Sequence, residues 1–166
     1  MLTDFDSLGE NSRVWVYQSD RLLNNKEQAE ILKSLEVFLG NWAAHGNNLM
    51  ASGIIEHDAF LVIATDESFN MASGCSIDSS FRFVQEIGAK MHLDFFQRMN
   101  LAFWIDEKVV FFKLSDLKSK IEEGIIDSTT LFFDNTVQKK IELDSKWRVK
   151  ASESWLGKYF KTTANV

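Results

Sequence analysis

Two pairs of short apolar runs, each pair parted by three polar residues, constrain this chain more than any other feature does. Residues 49–55 and 59–65 flank Glu56-His57-Asp58, and residues 101–105 and 109–114 flank Asp106-Glu107-Lys108. Runs this short, closed by turn-forming polar residues, read as antiparallel hairpins. A further run rich in β-branched and aromatic residues, Arg13-Val14-Trp15-Val16-Tyr17-Gln18, reads as a first strand.

Between these runs the apolar period changes to that of a helix. Asn24 followed three residues later by Glu27 has the spacing of a capping box, and Ile31, Leu35, Phe38 and Trp42 then fall on one face, widened by Leu32 and Leu39. Gly46 and Asn47-Asn48 are expected to end that helix, which puts His45 in its last turn. Phe81, Val84, Ile87 or Gly88, and Met91 mark a second helix after the loop 66–78. The order is βαββα followed by ββ. It predicts an α+β domain with a ferredoxin-like βαββαβ antiparallel sheet, helices on one face, extended by a strand.

Further on, residues 116–123 read as a short helix stopped at Gly124. Residues 129–133 and 137–143 read as a hairpin around Asp134-Asn135, and residues 152–160 as a final helix. No linker composition or internal repeat separates this hairpin and helix extension from the rest. The expected organisation is a flexible arm at 1–12, a single α+β domain at 13–160 and a tail at 161–166.

Forty-five per cent of the 166 residues are hydrophobic and fourteen are Phe, enough for one sizeable core. No apolar run approaches the ~20 residues needed to span a bilayer. The start, Met1-Leu2-Thr3-Asp4, lacks the basic and apolar regions of a secretory signal, and one cysteine cannot form an internal disulfide, so a cytoplasmic setting is expected. The net charge is −6, and the basic doublets at Lys118/Lys120 and Lys139/Lys140 interleave with acids. That pattern speaks against nucleic-acid binding, which needs a basic face.

The one cysteine is the chemical landmark. Cys75 sits in Ser73-Gly74-Cys75-Ser76-Ile77-Asp78-Ser79-Ser80, which opens into the second helix. Free N–H groups at a helix start favour thiolates and bound anions alike. Recognised catalytic patterns are missing around it. The interval Gly40 to Gly46 is one residue too long for a phosphate-binding P-loop and is followed by Asn47, and no G-x-G-x-x-G occurs. A cysteine phosphatase needs arginine six positions after the nucleophile, where this chain has Phe81. Cys75, His45, His57 and His92 show no zinc-ligand spacing, so neither metal nor cofactor is expected.

Trp42-Ala43-Ala44-His45-Gly46, Ala72-Ser73-Gly74-Cys75-Ser76-Ile77-Asp78-Ser79-Ser80, Phe132-Phe133-Asp134-Asn135 and Glu153-Ser154-Trp155-Leu156 together resemble an uncharacterised protein family of Bacteroidetes. Its members often carry an automatic ABC transporter ATPase label. The chain has neither the Walker lysine motif nor the LSGGQ-type signature, so the resemblance implies no ATPase and carries no catalytic residue over.

The residues therefore lead to two expectations. In the first, the chain is a binding or protein-interaction module in which Ser73, Gly74, Cys75, Ser76, Asp78 and Ser79 receive a small anionic ligand or a partner's acidic group. In the second, it is a thiol-dependent enzyme or redox-active protein with Cys75 as nucleophile, His45 or His57 as base and Asp78 orienting it.

Overall fold

In the computed structural model, residues 1–161 are described. The first strand, β1, is Arg13–Gln18, and the helix α1 follows at Asn25–Asn41. Asn24 accepts from Glu27 N (2.8 Å) while the Glu27 carboxylate accepts from Asn24 N (2.9 Å), so the expected capping box starts the helix. Next come a small hairpin, β2 (Ala43–Ala44) and β3 (Asn47–Asn48), the long hairpin β4 (Met50–Glu56) and β5 (Phe60–Asp66), and the helix α2 (Gly74–Met91). The second half holds β6 (Asn100–Ile105), β7 (Lys108–Lys113), α3 (Leu117–Glu122), β8 (Leu131–Phe133), α4 (Lys140–Ser145) and β9 (Arg148–Lys150).

The strands form a three-stranded sheet in the order β1-β5-β4 and a four-stranded sheet in the order β7-β6-β8-β9, with antiparallel pairing throughout. Side-chain alternation explains how the two stack. Phe60, Val62 and Ala64 of β5 turn toward the second sheet, meeting Ala102, Val109 and Phe133, while Leu61 and Ile63 turn toward α1 and α2. On the second sheet Leu101, Phe103 and Phe132 face the other way, onto Leu117, Ile126 and Leu156. Helices, sheet, sheet and a C-terminal helical layer thus follow one another. Gly53 lets α1 come close to β4, since a Cβ there would collide with Leu35 Cδ2.

The protein is α+β with antiparallel sheets, but the ferredoxin-like topology is not clearly matched. β1, β4, β5 and the two helices lie as a βαββαβ unit would place them, whereas β6 joins the second sheet. The reason is burial. β6 is apolar on both faces, with Leu101 and Phe103 on one and Ala102 on the other, and β7 and β8 pair with its two edges.

The C-terminal part also differs from the expectation. Residues 137–143 form no hairpin strand. The Glu142 carboxylate accepts from Gln138 N (2.7 Å) and Lys139 N (3.1 Å), which starts α4 there instead, and β9 takes the place beside β8. Residues 152–160 fold as 3₁₀ turns at Ala151–Glu153 and Trp155–Tyr159 rather than one helix. The segment expected as a loose arm is bonded along β4, with Thr3 N donating to Ala51 O (3.0 Å) and Ala51 N to Met1 O (3.0 Å), and Leu8 is buried. Of the expected tail, residues 162–166 lie outside the described residues. No helix among the described residues is long and apolar enough to cross a membrane.

Candidate functional site

The start of α2 satisfies its own polar groups. Ser73 Oγ accepts from Ser76 N (3.2 Å), and Ser76 Oγ accepts from Ser73 N (2.7 Å) while donating to Ser73 O (2.8 Å). Ser79 Oγ donates to Ser76 O (2.7 Å) and Ser80 Oγ to Ile77 O (2.7 Å). The serines that look like ligand donors in the sequence are therefore used to cap and bind the helix backbone. Gly74, Cys75 and Asp78 are exposed.

His45 reaches the same corner by a route the sequence concealed. The first helix stops at Asn41, and His45 with Gly46 makes the turn between β2 and β3, at φ 52° and 80°. Two successive left-handed residues are what a two-residue hairpin turn requires. Asn70 Nδ2 ties this hairpin to the loop before α2 by donating to Asn47 O (2.9 Å), and Trp42 Nε1 donates to Ser76 O (2.8 Å). His45 is exposed there.

His57 lies elsewhere. It turns the β4–β5 hairpin at the Phe60 end of β5, whereas α2 begins beyond the Asp66 end, and the strand between spans about 20 Å. That separation removes His57 as a base for Cys75. The ring is half-buried beside Trp104 (centroids 4.9 Å), Phe133 (5.3 Å) and Trp147 (5.7 Å). Burial first, and then the nearby Arg148 charge, hold its pKa below 6.5. Because the folded pKa lies below the unfolded one, His57 supports stability above pH 6.5, and that support is lost as the pH falls through its folded value. His57→Asn keeps a residue that tolerates the φ of 51° and removes the titration. The fall in melting temperature between pH 8 and pH 5.5 is expected to be smaller in this variant; an unchanged fall would place the sensitivity elsewhere.

Among the described residues no group of His, Cys, Asp and Glu side chains is placed to hold a metal ion. A cleft of about 920 Å³ runs along the outer edge of β1. Its size is that of ordinary ligand sites, which run to roughly 1,000 Å³. It is lined by Phe81 of α2, by Phe96 and Arg98 of the segment after it, and by Phe132, Asn135 and Trp155. Arg13, Glu67 and Lys139 lie toward the start of β1.

Polar bonds fix this architecture. Gln18 Nε2 donates to Asn100 O (2.8 Å), Asn135 Nδ2 to Gln18 Oε1 (2.9 Å), and Trp147 Nε1 to Asn135 Oδ1 (2.9 Å). Together these bonds tie β1 to the second sheet at one end of the cleft. Tyr17 packs edge-on against Phe81 and Phe96, each at 5.8 Å between centroids. Its buried hydroxyl has no hydrogen-bond partner; burial raises its pKa, and the neighbouring Ser80 hydroxyl offsets part of that rise. Arg13 pairs with Glu67 at 3.6 Å, whereas Arg98 and Lys139 make no ion pair among the described residues. Local patterning did not reveal the cleft, because it depends on β6 joining the other sheet.

Compared with known proteins, the chain matches no family model, no curated protein and no solved structure.

Proposed function

We propose that the protein is a binding module whose cleft along β1 receives a ligand bearing an anionic group. The observation that carries this reading is the unpaired cation Arg98, set among aromatic side chains in a cleft of ligand size on a chain of net charge −6. Aromatic walls supply contact area, and a guanidinium supplies orientation toward carboxylate or phosphate. The cleft supports binding better than the α2 start does, where capping engages the serines. A thiol chemistry of Cys75 would rest on His45 alone, since His57 turns the far end of the sheet.

The test is a titration of isotopically labelled protein with inorganic phosphate, citrate and an acetylated aspartyl peptide, followed through backbone amide signals. Saturable shifts are expected at Val16, Phe96, Arg98 and Asn135, and Arg98→Glu should weaken the response roughly 2- to 10-fold. Shifts confined to Gly74, Cys75 and Ser76 would move the site to the start of α2. A flat response at both places would reject the binding reading.

A further inference from the structure

We propose that the occupant of the cleft is an extended, acid-bearing peptide segment of another protein, added to β1 as an antiparallel fourth strand. The proposal rests on the cleft-binding reading and goes on to name the ligand class and its geometry.

The backbone of β1 is the main warrant. Ser19 N donates to Ala59 O (2.8 Å), whereas Val14 N donates away from β5, to Gln138 O (3.0 Å). Bonding direction alternates along an antiparallel strand, so Val14, Val16 and Gln18 turn their N–H and C=O groups outward. The pairing of residues 138–140 with Ser12 and Val14 covers only the beginning of this edge, through Val14 N and through Lys140 N to Ser12 O (2.9 Å). The Val14 carbonyl, both Val16 groups and the Gln18 N–H have no partner among the described residues, and Val14, Val16 and Gln18 all line the cleft. Donors and acceptors in this alternation are what a pairing strand recognises.

The topology points to the same edge. In a βαββαβ sheet the fourth strand returns to lie beside the first. Here β1, β5, β4 and both helices keep that plan, and β6, the next strand in the chain, is paired on both edges in the other sheet. The edge of β1 is thus left to a strand that the described chain does not supply.

The walls and charges select the occupant. Phe96 and Trp155 both line the cleft and offer apolar contacts to side chains of an entering strand. Lys139 pairs opposite Arg13 at one end of the edge, and Arg98 lies near Asn100, which Gln18 contacts at the other. The interval from Val14 to Gln18 is about 13 Å at strand rise, so acidic residues roughly four positions apart in the peptide would meet both cations. A second copy pairing through its own β1 would bring Arg98 against like charge, which disfavours a homodimer here.

The experiment is selection of random twelve-residue displayed peptides on the full chain, with counter-selection on Val16→Pro. That substitution removes a strand-edge donor that has no native partner, so the fold should be kept. Selected peptides are then resynthesised and their dissociation constants measured. The expected peptides carry spaced acids and lose at least about tenfold in affinity toward Val16→Pro. They should lose as much when their own β1-facing amides are N-methylated, and they should slow hydrogen exchange at Val16 and Gln18. N-methylated peptides and Arg98→Glu keep the test decisive if Val16→Pro fails to fold. Peptides indifferent to N-methylation, or no peptide enriched, would overturn strand addition; phosphate or citrate shifts at the cleft would then leave the general binding reading standing. A dimer seen by sedimentation without peptide and abolished by Val16→Pro would give the edge to a second copy and equally overturn the proposal.

Discussion

Phe60→Ala is expected to lower stability by about 3–5 kcal/mol, the range for truncating a fully enclosed aromatic side chain. Phe60 has no exposed surface and stands between the two sheets, with ring centroids 4.7 Å from Phe133 and 4.9 Å from Trp147. Neither sheet can collapse into the space, because β5 is held by β1 on one edge and β4 on the other. For a domain of this size each kcal/mol moves the melting temperature by roughly 2–4 °C, so a fall on the order of 10 °C is expected by calorimetry. Urea melts should show a lower midpoint with an unchanged slope. A loss under about 1 kcal/mol would mean that the sheets do not meet at this ring.

The second large effect is Gly88→Ala, in the last turns of α2. A Cβ at residue 88 would stand 2.7 Å from Leu93 O and 3.3 Å from Phe95 Cδ2. The closer contact is to main chain, which cannot swing aside as a side-chain end can. Leu93 N also donates to Gly88 O (2.8 Å), and His92 at φ 55° turns the chain back there. Overpacking of this kind costs about 1–3 kcal/mol. It should also displace Phe95, Phe96 and Arg98, so their amide signals would shift more than those of the second sheet. Gly40→Ala is the matched control. Nothing lies within 4 Å of a Cβ at that position in α1, and the change should stabilise by about 0.4–1 kcal/mol through the unfolded chain. Equal effects at the two glycines would contradict the close approach described for α2.

Helix starts and hairpins were legible because their signals are local. Asn24 with Glu27 announces a helix start within four residues, and that cap is present; the second helix, expected only after the loop 66–78, begins already at Gly74 with Ser73 as its cap, because the serines read as loop residues bond the helix backbone instead. The two expected hairpins likewise form, with turns at His57-Asp58-Ala59 and Asp106-Glu107, each within one residue of the polar triplet that marked it. What failed was decided at a distance. Nothing in residues 101–105 states that both edges of β6 will be paired outside the first sheet, and the ferredoxin-like expectation broke at that strand. His45 was misread because the apolar stripe runs on through Trp42 after the helix has ended; Trp42 is buried in the core beside Trp15 and Phe38, with its indole N–H satisfied by Ser76 O. The site shows the same division. Cys75 and the serines stand out as residue types, whereas the β1 edge is conspicuous only through backbone groups that no residue name records.

The enclosure of β5 has a further consequence for synthesis of the chain. Phe60-Leu61-Val62-Ile63-Ala64-Thr65 is hidden on both faces in the native protein, but in a nascent chain it is an uncharged, proline-free hexapeptide with the composition of a steric-zipper segment. Its order of appearance limits that hazard. Both native neighbours, β1 and β4, precede it in the chain, so each can be waiting when it leaves the ribosome. Glu56 and Asp58 before it and Asp66 and Glu67 after it are placed as charged gatekeepers against intermolecular stacking.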